Sequence, residues 1–234
     1  DQHFEYMTQI IISFSDGEKA TRLSNMTVFI LDHCVFTRSA MRSLLTDSGV
    51  RGNIYTLNDV LKLDILCHKI IPNIVIISQR YMHSKDDDHI LKTLIERLPH
   101  TFFLIFIGNE NIAYNAVVPL KSNVIVTSKF LAVDGFTQLF HHFAGQEKSP
   151  IASRAKGCAP LRFSKTEKQI LAMWMAGENT KAICAHLNIK DKTLSSHKIN
   201  IKRKTNADNK LIIYYILQIA GSITDDLYAR QYNG

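Results

Sequence analysis

The chain has 234 residues, 46% of them apolar, and a formal net charge of +7. This length accommodates one large or two small domains, and this apolar fraction supplies packed cores and excludes a disordered chain. The charge is uneven: residues 160–234 carry 12 Lys/Arg against 6 Asp/Glu and residues 1–159 carry 16 against 15, so the C-terminal part is the one suited to a polyanion.

Residues 1–25 hold a short apolar patch, Ile10–Ile12 with Phe14, then a polar run. They read as an N-terminal extension, and the acidic start without a basic n-region does not read as a signal peptide. From there to residue 144, strand and helix patterns alternate. TVFILD (27–32) is a buried strand, and FTRSAMRSLLTDSG (36–49) has helical spacing at Phe36, Ala40, Met41, Leu44 and Leu45. A short strand near Ile54–Tyr55 and a helix from about Asn58 to His68 follow. Pro72 introduces the strand NIVIIS (73–78), and Asp86–Asp88 precede the helix of residues 89–98. FFLIFIG (102–108) is another strand, Ala113–Leu120 a short helix, NVIVTS (123–128) a strand and residues 134–144 a helix. The strands are apolar throughout, as when helices cover both faces of a parallel sheet. Residues 26–144 are therefore expected to be a five-stranded, doubly wound α/β domain.

Residues 145–160, with two prolines and two glycines, break the pattern and read as a linker. Residues 161–221 then take a helical period. Ser164 and Glu167 form a capping-box pattern before a helix with Ile170, Leu171, Trp174 and Met175 on its buried face, ended by Gly177. A second helix begins at Thr180 and turns at Asn188. The stretch Lys190–Lys204 carries six Lys/Arg and one Asp in fifteen residues. On a helix, Leu194, His197 and Ile201 point one way; Lys192, Ser196, Ile199 and Arg203 point the other, with Ser195 and Lys202 at the edge. A last helix, apolar around much of its circumference, covers Leu211–Ala220, before a tail at 222–234. Four helices with a tight second turn make a helix-turn-helix domain. The surplus apolar surface of the last helix suggests a dimer interface, with Tyr214 or Tyr215 on its exposed side.

Metal and enzyme chemistry find little support. The four cysteines are far apart and none forms a CxxC, no GxSxG, P-loop or HExxH occurs, and no apolar run approaches the ~20 residues that span a bilayer. The expectation is a soluble cytoplasmic protein that is not an enzyme, with no metal, cofactor or evident small-molecule ligand and no membrane association.

The run FSKTEKQILAMWMAGENTKAICAHLNIKDKTLSSHKINIKRK (163–204) resembles the DNA-binding domain of LuxR/FixJ-type regulators, matching at Ser164, Glu167, Gly177, Ile183, Leu187, Thr193, Leu194, His197, Ile201 and Lys204. It departs mildly at Cys184 and Thr205, and at Leu194 the apolar position holds Leu for the common Val. The preceding α/β part is similar to a response-regulator receiver, which implies a phosphoacceptor Asp and acids that hold Mg²⁺. Here Leu31 precedes Asp32, so one acid of the usual pair remains, Ser78 stands at the phosphoacceptor position, and Lys129 alone keeps the fifth-strand lysine. The resemblance thus implies a degenerate receiver that is not phosphorylated. Asp86–Asp88 lie too far past Ser78 to replace the acceptor.

Within this family the likeness, in MWMAG (173–177), the run 188–204 and LDHCVFTRS (31–39), is to auxiliary activators of capsule and exopolysaccharide genes. It implies double-stranded DNA as a ligand and a heterodimer with the full response regulator of a phosphorelay. The alternative is a homodimeric LuxR-family factor controlling other genes without such a partner. The residues expected to face DNA are Lys192, Thr193, Ser195, Ser196, Lys198, Ile199, Lys202 and Arg203, with Lys165 and Thr180 at helix starts. For Ile199 a thymine methyl and a neighbouring helix are both open. For Lys165 and Thr180, phosphate contact and ordinary surface are both open. His197 and Trp174 read as packing residues.

Overall fold

A computed structural model describes residues 25–82, 84–108, 117–128 and 160–224. The N-terminal part is a sheet of six strands in the order β2-β1-β3-β4-β6-β5. The strands are β1 (Val28–Leu31), β2 (Ile54–Leu57), β3 (Ile74–Ser78), β4 (Phe102–Ile107), β5 (Val118–Lys121) and β6 (Val124–Ser128). All neighbours are parallel except β5 and β6. Strands β1, β3, β4 and β6 are wholly buried, as their unbroken apolar runs predict.

Helix α1 (Val35–Asp47) covers one face through Met41 and Leu45; α2 (Val60–Lys69) and α3 (Lys85–Arg97) cover the other through Leu63, Cys67, Leu91, Leu94 and Ile95. Gly52 marks a close approach: a Cβ there would collide with the Met26 carbonyl, so no larger residue fits without moving backbone.

The sixth strand corrects the expected five. Residues 118–121, of which 118–120 were expected to end a helix, form an antiparallel edge strand joined to β6 through the turn at Ser122 and Asn123. Pro119 is the reason: it breaks helix interiors but is accepted on an edge strand, and the ladder shifts register beside it. The expected helix at 134–144, residues 113–116 and Lys129 lie outside the described residues. The Asp86–Asp88 cluster occupies the first turn of α3, where acids favour the helix dipole.

The C-terminal part has helices α4 (Lys165–Met175), α5 (Thr180–Leu187), α6 (Asp191–Thr205) and α7 (Lys210–Ile223). Gly177, at φ +90°, and Asn188 and Asn206, at φ 51° and 48°, supply the left-handed residues that stop α4, α5 and α6. Helix α7 packs on α3 of the first domain more extensively than on α6. The buried side chains of both domains join in one cluster, and the Leu161 amide donates to the Pro119 carbonyl at 2.9 Å. No helix among the described residues is long and apolar enough to cross a membrane.

Candidate nucleic-acid interface

Helix α6 is placed by its apolar side and by one ion pair. Leu194 and Ile201 are fully buried, and the three-residue turn 188–190 sets α6 against α5. At the far end, Lys204 Nζ lies 2.6 Å from Glu167 Oε2 and 5.7 Å from the Phe163 ring centre. Glu167 is also the capping-box acid of α4: the Ser164 amide donates to its carboxylate at 2.7 Å, and its own amide donates to Ser164 Oγ at 3.2 Å. Burial acts to raise the Glu167 carboxyl, but the hydrogen bonds from Lys204 and Ser164 and the ammonium charge outweigh it and hold the group below its ordinary range. One carboxylate thus ties the start of α4 to the end of α6.

Thr205 stands where the resemblance leads one to expect Leu. It is buried, and its hydroxyl donates to the Ile201 carbonyl at 2.9 Å, so the departure is satisfied within the helix.

The opposite side of α6 is open. Lys192, Thr193, Ser195, Ser196, Ile199 and Arg203 are exposed, and Ile199 keeps 64% of its surface. Ser196 Oγ donates to the Lys192 carbonyl at 3.0 Å, which uses its proton within the helix and leaves the oxygen able to accept. Lys198 and Lys202 are half-buried. Lys198 Nζ sits 5.0 Å above the Trp174 ring centre, a cation–π contact that draws it toward α4. Lys202 is 3.8 Å from the fully exposed Asp208 carboxylate, a contact that contributes little. Thr180 and Lys165 are the exposed first residues of α5 and α4, where unpaired amides favour anions.

On α7, Tyr214 and Tyr215 are half-buried with ring centres 6.0 Å apart, and Gln218 Nε2 donates to Tyr214 Oη at 2.8 Å. Much of the apolar surplus read as a pairing surface is instead covered within the chain by α3. The Glu167–Lys204 pair and the Trp174–Lys198 contact escaped the sequence reading, which contained the capping pattern but no sign of partners so distant in sequence.

In the first domain Asp32 and Ser78 follow registered neighbours, Leu31 and Ile77, at the C-terminal ends of the adjacent strands β1 and β3, and both are buried. Asp32 Oδ1 accepts from the Cys34 amide at 2.8 Å, and Arg38 donates to the Asp32 and His33 carbonyls. Tyr81 is buried and stacks on His33 at 4.1 Å; burial first, then the Asp32 charge, pushes its phenol up to about 12. The residues present do not fit the receiver's Mg²⁺ and phosphoryl chemistry. Ser78 offers no carboxylate, Leu31 no second acid, and no three His, Cys, Asp or Glu among the described residues group to hold a metal ion.

Residues 27–152 match the model for "Transcriptional regulator RcsA, N-terminal dimerisation domain", and residues 161–216 match "Bacterial regulatory proteins, luxR family". The chain belongs to the RcsA family. RcsA of Pantoea stewartii subsp. stewartii is 32% identical over 207 residues, covering 87% of this chain and 98% of that one; RcsA of Erwinia amylovora is 32% identical over 211 residues, covering 88% and 100%. Both are transcriptional regulatory proteins by name. The response regulator RcsB in a complex with DNA has the same fold, with a TM-score of 0.52 at 19% identity, covering 86% of this chain and all of that one. The RcsA-family chain is thus a transcriptional regulator with a LuxR-type DNA-binding domain behind a receiver-like domain.

Proposed function

We propose that this chain is an auxiliary activator that binds DNA without phosphorylation of its own and pairs with an RcsB-like response regulator at exopolysaccharide and capsule promoters in the cytoplasm. The observation that carries the reading is the open face of α6, basic and hydroxyl-rich, in a chain that has Ser78 where a receiver carries its phosphoacceptor. Lys192, Lys198, Lys202 and Arg203 neutralise phosphates, with Lys165 and Thr180 as outlying phosphate contacts. Thr193, Ser195 and Ser196 reach base edges, where a hydroxyl discriminates weakly because it both donates and accepts. Ile199 meets a thymine methyl. Ser78, Asp32 and Lys129 are the remnant of a phosphorylation site and carry no catalysis. Pairing uses the dimerisation domain together with the Tyr214 and Tyr215 side of α7.

A homodimer acting alone at other genes is the second reading, favoured by the family's description of its first domain as a dimerisation domain. Footprinting of a capsule promoter with this chain, with an RcsB-like regulator, and with both tests the choice. The expected result is a protected box that needs both proteins. Protection by this chain alone, unchanged by the regulator, selects the homodimer, and no protection under any condition removes the DNA-binding reading.

A further inference from the structure

We infer that this chain engages DNA as one rigid two-domain body, with α7 serving as a core helix of both domains and no domain release preceding binding. The inference rests on the DNA-binding reading above. An amphipathic helix serving one core carries an apolar stripe of about 100°. In α7, Ile212, Ile216, Ile219 and Ile223 form one buried stripe, and Ile213, Leu217 and Ala220 form a second beside it. At ~100° per residue the two span roughly 160° of the helix. Two neighbours account for that width: α6 of the helix-turn-helix domain and, more extensively, α3 of the receiver-like domain. Domain interfaces within a chain move by default unless they are apolar and extensive; this one is a continuation of both cores.

The second half of the inference comes from what this docking leaves open. With α7 seated on α3, Lys192, Thr193, Ser195, Ser196, Ile199 and Arg203 of α6 are exposed and Lys198 and Lys202 half-buried. Leu211, Tyr214, Tyr215, Gln218 and Ser222 occupy the remaining arc of α7, and Leu211 is exposed and the other four half-buried. Neither the DNA face nor this arc requires α7 to leave α3. Receiver and helix-turn-helix domain therefore move together, and the placement of one receiver against its partner sets the placement of the recognition helices.

Hydrogen exchange on the full chain tests this, free and bound to a mixed-sequence duplex of about 30 base pairs at low salt, where non-specific affinity is highest. The expected result is that amides of Leu91–Arg97 and Ile212–Ile223 keep their protection when α6 gains it on binding. A drop in protection of both segments in the bound form overturns the inference. A second measurement needs no DNA. Trp174 is the single tryptophan and lies in the C-terminal domain, so its fluorescence follows that domain's unfolding. Leu94→Ala in α3 should lower the urea midpoint seen by Trp174 and by far-UV circular dichroism equally. A Trp174 midpoint that stays in place while the dichroism midpoint falls also overturns it. A chain that binds no duplex but unfolds as one unit sinks the DNA-binding reading and leaves the shared core standing.

Discussion

Glu167 accepts from the Ser164 amide and the Lys204 ammonium while almost withdrawn from water, so its charge is in effect a structural part of α4 and α6. Glu167→Gln removes the charge but keeps the shape, leaving Lys204 without its ion partner; the expected loss is roughly 1–3 kcal/mol. The sign of the pH dependence follows from the lowered carboxyl. The stabilisation is fully present above the unfolded glutamate value of about 4.3 and disappears as pH falls through the lower folded value. Urea unfolding of both forms should therefore show a stability gap at neutral pH that closes in acid; a gap that is constant with pH is the contrary outcome. At this scale the sequence was half legible. Ser164 and Glu167 announce a capping box because their partners are local, whereas Lys204 lies 37 residues away, and no local periodicity brings it to Glu167. Lys198 carries the same lesson: it was counted among the cations expected to face DNA, and the ring of Trp174 draws it toward α4.

Among elements, the two legible features were the apolar strands and the basic helix, each written in its own period. The hairpin of β5 and β6 was less so. Val118–Lys121 alternates too briefly to declare a strand, and Pro119 was the available signal against a helix. Its turn also does structural duty. Asn123 is buried, and Nδ2 lies 3.4, 3.2 and 3.3 Å from the carbonyls of Ile95, Leu98 and Thr101, so the hairpin closes the C-terminal end of α3, where carbonyls lack helical partners. Asn123→Ala strips these buried acceptors of their donor and should lower stability by roughly 1–3 kcal/mol, measured as a shift of the urea midpoint without a change of slope. An unmoved midpoint would show that the amide contributes nothing there. Helix α6 needs no such rescue: its buried residues, Leu194, Ile201 and Thr205, recur at helical spacing, which is why its outward face was readable.

For the whole molecule, the division into an α/β domain and a helical domain was visible as a change of hydrophobic period, with the net charge concentrated in the second. The docking of α7 on α3 was not: an apolar arc states that something covers it, not which neighbour does. The surplus first read as a dimer face is largely an intramolecular contact. The receiver-like domain keeps the sheet, with Asp32 and Ser78 at the C-terminal ends of neighbouring strands, but has no carboxylate at Ser78. Ser78→Ala is therefore expected to leave reporter activation at wild-type level, with the protein's abundance checked by immunoblot; a collapse of activation in a folded, equally abundant variant would restore a chemical role to that end of the sheet.

The most direct test of the exposed side of α6 is the salt dependence of DNA affinity for the full chain and for Arg203→Ala, measured by titration across a range of salt concentrations. A phosphate contact at Arg203 predicts weaker binding to all sequences and a slope of log K against log salt lowered in magnitude by about one. Equal affinities and equal slopes for the two proteins would contradict the placement of α6 on DNA.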